Sequence, residues 1–169
     1  MTDIVIRLTD ENDASQVSVC VDSVARERLF LADTKGFSVE ETLEFIRFVR
    51  NAGGAHLVAV NRDSVVGWCD ITPYSFEGLT HCGRLGMGLL SEYRGRGIGK
   101  KLLAEALPLA FRNGLERIEL EVFASNIVAV RLYRYFGFLE EGRKRKARKL
   151  DGTYDDVILF GLLDEEWLR

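Results

Sequence analysis

The sequence predicts one α/β or α+β domain, residues 1–169, in which a single mixed β-sheet is flanked by helices. Alternating apolar residues mark strands, and apolar residues three or four positions apart mark helices. The two patterns follow one another in the order β-α-α-β-β-β-α-β-α-β-β. A length of 169 residues fits one hydrophobic core. Because hairpins make antiparallel neighbours and helical crossovers allow parallel ones, both kinds of pairing are expected.

The beginning of the chain predicts a strand and a helix. Residues Ile4 to Leu8 alternate between apolar and polar, as in a strand with one buried face. A helix follows from a possible N-cap, Asn12 or Asp13, to about Leu29. Its apolar face consists of Val17, Val21 and Val24.

A second helix precedes the next strand. Ser38 and Glu41 form a capping box that begins it, and the Gly53-Gly54 pair ends it. Its apolar residues are Phe45, Phe48 and Val49. Two helices therefore separate the first strand from the second.

Three strands are predicted next. Leu57 to Val60 and Val65 to Ile71 flank a polar turn, and we interpret them as a hairpin. A fourth strand, Gly83 to Leu90, follows a long aromatic linker from Thr72 to His81.

A third helix begins at Ile98 and ends near Arg112. Its apolar stripe consists of Leu102, Leu103, Ala106 and Ala110. Pro108 lies in its second half and lacks a backbone N–H. We therefore expect this proline to kink the helix or to end it early.

The next segment predicts a fifth strand and a fourth helix. Ile118 to Phe123 alternates, which places Glu119 and Glu121 on the face opposite the apolar residues. Asn126 caps a helix that Gly137 closes. The residues expected to face inward from this helix are Ala129, Leu132, Tyr133 and Phe136.

A hairpin ends the chain. Asp151-Gly152 suits a type I′ turn between strands Leu139 to Leu150 and Thr153 to Leu163. The first strand carries the basic run Arg143 to Lys149. The two-residue turn pairs Arg148 with Asp155 and Ala147 with Asp156, which places acidic residues opposite part of the run. Since stacking aromatics are missing as well, no contact with nucleic acid is expected.

Composition argues against several classes of protein. With 23 Lys and Arg against 26 Asp and Glu, the formal charge is -3, unlike that of a general nucleic-acid or membrane binder. No apolar run approaches the ~20 residues that cross a bilayer, and the first residues lack signal-peptide features, so we expect a soluble cytoplasmic protein. Three separated cysteines and two histidines support neither a disulfide framework nor a metal site.

The glycine loop, residues 93–101 (YRGRGIGKK), lies between a predicted strand and a predicted helix. Alternating glycines let the backbone turn with its N–H groups inward, and the helix N-terminus adds unpaired donors. The basic residues of the loop are Arg94, Arg96, Lys100 and Lys101. We expect a diphosphate ligand, because one phosphate would leave several donors unused.

Spacing excludes two kinds of diphosphate site. A P-loop needs Gly-x-x-x-x-Gly-Lys-Ser/Thr, but Arg94 stands where its first glycine belongs and Leu102 stands where its hydroxyl belongs. A dinucleotide-binding fingerprint needs Gly-x-Gly-x-x-Gly, and Gly95, Gly97 and Gly99 are one residue short of it. Nucleotide hydrolysis and hydride transfer are therefore disfavoured.

Two blocks of the sequence match a known pattern. Residues 94–99 (RGRGIG) fit the signature Arg/Gln-x-x-Gly-x-Gly/Ala, and residues 120–126 (LEVFASN) with the following helix fit a second block at its usual distance. On these residues the chain closely resembles the GNAT superfamily of acetyl-CoA-dependent N-acetyltransferases. The resemblance implies the GNAT-like acyl-CoA N-acyltransferase fold with a mostly antiparallel sheet, acetyl-CoA as co-substrate without a metal, and a possible homodimer.

The resemblance also implies a set of coenzyme-binding residues. They are Met87, Gly88, Leu89, Arg94, Gly95, Arg96, Gly97, Ile98, Gly99, Lys100 and Asn126. The loop backbone would hold the pyrophosphate, residues 87–89 would pair with the pantetheine arm, and an N–H near Leu89 would face the developing oxyanion. Gly86 and Gly88 suit a strand that another group approaches closely, with a bulge as the alternative.

For catalysis the resemblance places a general acid at Tyr133, a phenol with a reference pKa of about 10 that can protonate a thiolate. Glu121 aligns with the base of relatives resembling ribosomal-protein alanine N-terminal acetyltransferases. Asp70, His81 and ordered water remain alternatives for the base.

The predicted function is transfer of acetyl from acetyl-CoA to a primary amine by direct attack. The amine belongs to a small molecule or to a peptide N-terminus. Its pocket is expected between residues 26–36, the linker 72–81 and the final hairpin. The aromatic residues that could line it are Phe30, Phe37, Tyr74 and Phe76. The alternatives are a sensor or scaffold module that binds acyl-CoA without turnover, and a protein N-terminal acetyltransferase.

Overall fold

The computed structural model describes residues 4–167 and contains the predicted order of elements. The strands are β1 (Ile4–Leu8), β2 (Ala55–Asn61), β3 (Ser64–Pro73), β4 (Cys82–Leu89), β5 (Arg117–Phe123), β6 (Leu139–Leu150) and β7 (Thr153–Leu163). The α-helices are α1 (Ala14–Arg26), α2 (Val39–Asn51), α3 (Ile98–Arg112) and α4 (Ile127–Tyr135). Within this part of the chain, no helix is long and apolar enough to cross a membrane.

The strands form one sheet in the order β1-β2-β3-β4-β5-β7-β6. Among the described strands, β4 and β5 are the only parallel neighbours, and the other neighbouring pairs are antiparallel. The predicted mixed, mostly antiparallel sheet is therefore confirmed. The final hairpin has the predicted bounds, and positive φ angles at Asp151 and Gly152 fit the predicted type I′ turn.

Helices cover both faces of the sheet because successive side chains of a strand point to opposite sides. On the first face, α1 covers a core of Val17, Cys20, Val24, Val58, Val60, Val65 and Trp68, and α2 lies beside α1 with Ile46 and Val49 buried. On the second face, α3 and α4 cover a larger core that includes Leu57, Cys69, Leu102, Leu103, Ile118, Val130 and Phe160. His56 and Asp70 have the side-chain parity of Val58 and Trp68, so they belong to the first face.

The beginning of α1 differs from the prediction. Asp13, one of the predicted candidates, is the N-cap residue of α1, but its side chain makes no bond to the helix; the capping side chain is that of Asp10, which accepts the N–H of Asn12 at a short 3₁₀ turn before α1. The Asp13 carboxylate instead binds Arg7 at 2.7 Å, and α1 ends at Arg26 rather than near Leu29. The capping box of Ser38 and Glu41 at α2 is confirmed.

Pro108 does not end α3 early, since the helix continues to Arg112; of the two predicted outcomes, the early end is therefore wrong. The residues on either side explain this. Leu107 and Ala110 are fully buried and Phe111 is nearly so. Packing of this turn against the sheet offsets the one backbone hydrogen bond that proline cannot make.

The glycines of β4 have a structural reason that the sequence did not reveal. The register between β3 and β4 is continuous, so there is no bulge at Gly86 or Gly88. A Cβ at Gly88 would lie 2.4 Å from the Trp68 ring, and a Cβ at Gly86 would lie 3.2 Å from Oδ2 of Asp70. Both glycines thus make room for side chains of the neighbouring strand.

Replacing Gly88 by Ala is expected to destabilise the fold by about 1–3 kcal/mol, because the buried Trp68 ring has to move. The free energy of unfolding in urea measures the effect. Gly78→Ala is the matched control, since a Cβ there meets nothing within 4 Å and its change should stay within about 0.5 kcal/mol. Equal stability of the two variants would contradict the proposed reason for Gly88.

Candidate active site

The glycine loop presents free backbone donors. Gly95 and Gly97 have φ angles of 72° and 76°, the left-handed region that favours glycine, and Gly97 is the N-cap of α3. None of the backbone N–H groups of residues 95–100 donates to another described residue, and the first return bond is from Lys101 to the Gly97 carbonyl. Unpaired N–H groups at a helix N-terminus form an anion-binding site.

The basic side chains of the loop divide into two groups. Arg96 and Lys100 are exposed and lie over the rings of Tyr93 and Tyr135, at 5.5 Å and 3.9 Å from the ring centroids. Both remain available to a phosphate.

Arg94 has a different role. Its guanidinium binds Glu27 of α1 through both terminal nitrogens, at 2.8 Å and 2.5 Å, and donates to the Leu89 carbonyl at 3.0 Å. Its side chain therefore joins β4 to α1, and its N–H donates to the Ser91 carbonyl at 3.3 Å, so the predicted coenzyme contact of Arg94 has no free donor in this structure.

The sheet opens between β4 and β5. Their parallel pairing comprises three residue pairs, Cys82–Arg84 with Arg117–Glu119, and the described chain places no strand beside β4 beyond them. We call this opening the β4–β5 gap. Leu90 donates its N–H to Val66 of β3 at 2.9 Å, so the N–H of the preceding Leu89 points the other way, into the gap. Met87 and the Leu89 N–H therefore form a free strand edge, as a β-augmenting ligand requires, whereas the Leu89 carbonyl already accepts from Arg94.

Tyr133 lies on the second face, buried between α4 and the sheet. Its ring contacts Phe138 and Phe160 at centroid distances of 5.8 Å and 6.3 Å. Burial, with a smaller effect of the Cys69 thiol, raises the pKa of Tyr133 above its usual value. The phenol is therefore protonated at neutral pH and can act as a proton donor.

Asn126 begins α4 as predicted. Its side-chain oxygen accepts the N–H of Ala129 at 3.2 Å, so the amide nitrogen is left for another partner. A Cβ at Gly99 would lie 3.4 Å from both Leu132 and Met87, so the start of α3 packs closely on α4 and β4. The glycine loop, α4 and the free edge of β4 thus meet at one place.

A cavity of about 440 Å³ lies on the opposite, first face of the sheet. We call it the α1–α2 cavity. Its apolar walls include Val17, Val21, Phe30, Leu31, Phe37, Phe45, Trp68, Leu85, Met87 and Phe123, and its charged residues are Asp33, Glu41, Asp70, Arg84 and Glu121. Phe30 and Phe37 therefore line it as predicted. Tyr74 and Phe76 do not: Tyr74 donates to Glu119 at 2.7 Å, and Phe76 is exposed.

Asp70 is a buried carboxyl in this cavity. The Thr72 hydroxyl donates to it at 3.1 Å, and Oδ2 lies against Gly86 of β4. Burial raises the pKa of Asp70 to about 7, although hydrogen bonds from Thr72 and Trp68 and the charge of Arg84 act in the opposite direction. The group is thus close to its titration point at neutral pH.

His56 stands directly opposite Asp70 in the pairing of β2 with β3. Its Nδ1 lies 2.7 Å from the Thr9 hydroxyl, and its buried Nε2 has no partner among the described residues. Burial lowers the pKa of His56 to about 4, so the ring is neutral at pH 7. Sequence reasoning missed this residue, which lies in an apolar strand and belongs to no motif.

Of the three residues predicted as candidate bases, Asp70 and Glu121 line the cavity and His81 does not. Glu121 lines it and is bound by Lys144 at 2.8 Å, with its side chain 41% exposed. His81 precedes β4 and is exposed; at ~3.3 Å per residue it lies about 20 Å from Met87. Asp70 and Glu121 are therefore the two predicted base candidates that line the cavity.

The basic run of β6 contacts protein groups. Arg143 binds Asp156 at 3.2 Å, and the Arg148 guanidinium donates to the carbonyls of Arg28 and Leu29. Arg148 pairs with Asp155 as predicted, but a bulge between Lys144 and Arg148 removes the predicted pairing of Ala147 with Asp156. The described residues include no cluster of three or more His, Cys, Asp or Glu suited to a metal ion.

Comparison with known proteins agrees with this architecture. A profile of the acetyltransferase (GNAT) family matches residues 24–138. L-amino acid N-acetyltransferase AaaT from Escherichia coli (strain K12) is 31% identical over 113 residues, 66% of this chain and 69% of that protein. The crystal structure of a GNAT-family acetyltransferase from Streptococcus pneumoniae has a TM-score of 0.89 at 28% identity, covering 95% of this chain and 99% of that chain.

A second solved structure shares the fold. The GNAT superfamily phosphinothricin acetyltransferase from Sinorhizobium meliloti, in complex with AcCoA, has a TM-score of 0.89 at 19% identity. The match covers 96% of this chain and 89% of that chain. The predicted fold is thereby confirmed, and one protein with this fold holds acetyl-CoA.

The Asp70→Asn variant is expected to gain stability relative to the wild type as the pH rises. In the folded protein Asp70 has a pKa of about 7, whereas the unfolded carboxyl has a pKa of 3.8. Between these two pH values the folded state binds more protons than the unfolded state, so the wild type loses stability as the pH rises from about 3.8 to about 7. Between pH 5 and pH 8 the difference in unfolding free energy should change by about 2–3 kcal/mol. Urea unfolding at both pH values measures it, and a constant difference would contradict the raised pKa.

Proposed function

Because the chain belongs to the acetyltransferase (GNAT) family, we propose that it transfers an acetyl group from acetyl-CoA to a primary amine bound in the α1–α2 cavity. The observation that carries this proposal is the β4–β5 gap beside Met87, a residue that lines the cavity and also packs on Gly99 of the glycine loop. A donor bound along β4 and an acceptor bound in the cavity meet there from opposite sides. This supports direct attack in a ternary complex.

The residues present fit acetyl-CoA. The free N–H groups of residues 95–100 suit the pyrophosphate, and Arg96 and Lys100 add charge for the phosphates. The free edge of residues 87–89 suits the pantetheine arm, which carries amide groups. The amide nitrogen of Asn126 is available at the start of α4. Acetyl-CoA supplies the thioester whose acyl group is transferred.

The chain contributes three groups to the chemistry. The Leu89 N–H, which points into the gap, is the donor for the negative charge that develops on the acyl oxygen. The protonated phenol of Tyr133 gives its proton to the departing sulfur. A carboxylate of the cavity, Asp70 or Glu121, accepts the proton of the amine. The new C–N bond forms as the C–S bond breaks.

The acceptor that the cavity supports best is a small molecule. The walls of the cavity are mostly apolar, and its volume of about 440 Å³ lies within the usual range of small-ligand sites, ~300–1,000 Å³. The name of AaaT indicates that it acts on L-amino acids, which shows that a relative of this size accepts small amines.

Acetyl-CoA at millimolar concentration should raise the melting temperature of the wild type. The stabilisation is about 2.7 kcal/mol when the ligand is at 100 times its Kd. Gly97→Val should abolish this shift, because φ at Gly97 is 76° and a branched side chain disfavours that conformation.

Gly114→Ala provides the control for the loss of a left-handed glycine. Gly114 has a φ of 105° and follows the far end of α3. The Gly114→Ala variant should have a lower melting temperature without ligand, but acetyl-CoA should still raise that temperature as it does for the wild type. A wild type without any shift would overturn the proposed donor site.

Tyr133→Phe should lower kcat by about 100-fold or more while acetyl-CoA still raises the melting temperature, because only the hydroxyl is removed. Release of free CoA, followed with a thiol reagent, measures the rate. Tyr154→Phe at the exposed tip of the final hairpin is the control and should leave the rate unchanged. Equal rates for both variants would refute the role of Tyr133. A wild type that binds acetyl-CoA but acetylates no amine would instead favour the binding-module alternative.

A further inference from the structure

Asp70 is a buried carboxyl without a counter-ion. Among the described residues its hydrogen-bond partners are neutral groups, the Thr72 hydroxyl and the Trp68 indole. Arg84 acts on it only through its charge. Burying a carboxylate without a paired cation is costly, so this arrangement weakens the fold unless a cation completes it.

The surroundings of Asp70 favour a cation over an anion. The charged residues of the α1–α2 cavity are Asp33 between α1 and α2, Glu41 of α2, Asp70 of β3, Arg84 of β4 and Glu121 of β5. The acids outnumber the bases four to one. Glu41 and Glu121 have partners of their own, Ser38 and Lys144, whereas Asp70 has no ionic partner.

His56 supplies the second, independent observation. Its side chain lines the same cavity from β2, opposite Asp70, and is nearly fully buried. The ring is fixed through Nδ1 by Thr9, and its Nε2 lacks the hydrogen-bond partner that a buried polar atom normally has. Because the imidazole is neutral, it adds a hydrogen-bonding site without neutralising the Asp70 carboxylate.

We propose that Asp70, opposite His56 in the α1–α2 cavity, binds the ammonium group of the acceptor and takes its proton, and that the acceptor is a primary monoamine with a compact apolar body and no carboxylate. This inference rests on the acetyl transfer proposed above. The apolar walls contact the body of the acceptor, and the surplus of acidic side chains repels a second negative charge.

The position of Asp70 fits proton transfer at the β4–β5 gap. Its Oδ2 lies against Gly86, one residue before the free strand edge that begins at Met87. Glu121 is more exposed and already bound to Lys144. Asp70 is thus less solvated than Glu121 and, unlike Glu121, has no salt-bridge partner.

The protons balance. The ammonium ion gives one proton to the Asp70 carboxylate, and the neutral nitrogen then forms the C–N bond. The nitrogen loses a second proton to water as the amide forms, and the departing sulfur gains one from Tyr133. Asp70 then releases its proton to water and Tyr133 takes one back from water, so one turnover releases one proton overall.

The first test compares matched acceptors on the wild-type protein. 2-Phenylethylamine and L-phenylalanine share one apolar body, and only the second carries a carboxylate; L-phenylalanine amide has the same substituent without the charge. We expect kcat/KM for the amine and the amide to exceed that for the amino acid by at least 100-fold. Preference for the amino acid, or for spermidine over every monoamine of the panel, overturns the inferred acceptor class. This arm does not depend on the folding of a variant.

The second test compares Asp70→Asn with Glu121→Gln and with the exposed control Asp63→Asn of the turn between β2 and β3. For 2-phenylethylamine, Asp70→Asn should lower kcat/KM by at least 100-fold, remove the rise of kcat/KM with pH near pH 7, and keep the acetyl-CoA melting shift. Glu121→Gln should keep the pH-dependent rise, and Asp63→Asn should match the wild type.

The outcomes separate the two proposals. If no amine releases CoA and acetyl-CoA causes no melting shift, the acetyl transfer itself fails. If amines are acetylated but Asp70→Asn retains the wild-type rate and pH profile, or Glu121→Gln loses that profile, the assignment of Asp70 fails alone.

Discussion

The arrangement of the site depends on the short parallel pairing of β4 with β5. Three residue pairs hold these strands together, and beyond Arg84 the two strands no longer pair. A sheet that opens in its middle leaves backbone donors and acceptors unpaired, and such groups need a partner. The opening therefore requires a ligand or water along β4, and it is also the passage through which groups from the two faces of the sheet reach one another.

Strand alternation distributes the chemistry over these faces. On β3, Cys69 faces the helices α3 and α4, where Tyr133 is buried, while Asp70 faces the α1–α2 cavity. The proposed proton donor, Tyr133, and the proposed proton acceptor, Asp70, therefore lie on opposite faces of the sheet. The two glycines of β4 allow this, because they leave the first face free for the Trp68 ring and the Asp70 carboxylate. A larger residue at Gly86 would displace the carboxylate from the strand edge.

Much of the fold follows from local sequence patterns, whereas the pairing of distant residues does not. The residues of the turn, Asp151-Gly152, predict the final hairpin. The two sequence blocks, residues 94–99 and 120–126, predict the place of the acetyl-CoA site. The pair of His56 and Asp70 could not be derived, because a register shift between Ala59 and Val60 separates it from the turn. If the pairing continued from Asn61 and Ser64 without that shift, Cys69 would pair with His56, and Asp70 would lie on the face of the sheet opposite His56. The salt bridge of Arg94 with Glu27 joins residues 67 positions apart and has no local signal either.

Burial raises the pKa of both titrating groups of the proposed reaction, but the effect on the protonation state at neutral pH differs between them. It raises the pKa of Tyr133 away from neutrality, which keeps the phenol protonated, and it raises the pKa of Asp70 toward neutrality, which lets the carboxyl exist in both forms. An ammonium ion entering the cavity favours the charged carboxylate by Coulombic attraction, and departure of its proton removes that attraction. The neutral ring of His56 leaves this response to the ligand intact, whereas a second cation in its place would fix Asp70 in the charged form. The same desolvation that makes Asp70 unfavourable for folding thus makes its charge depend on the presence of an amine.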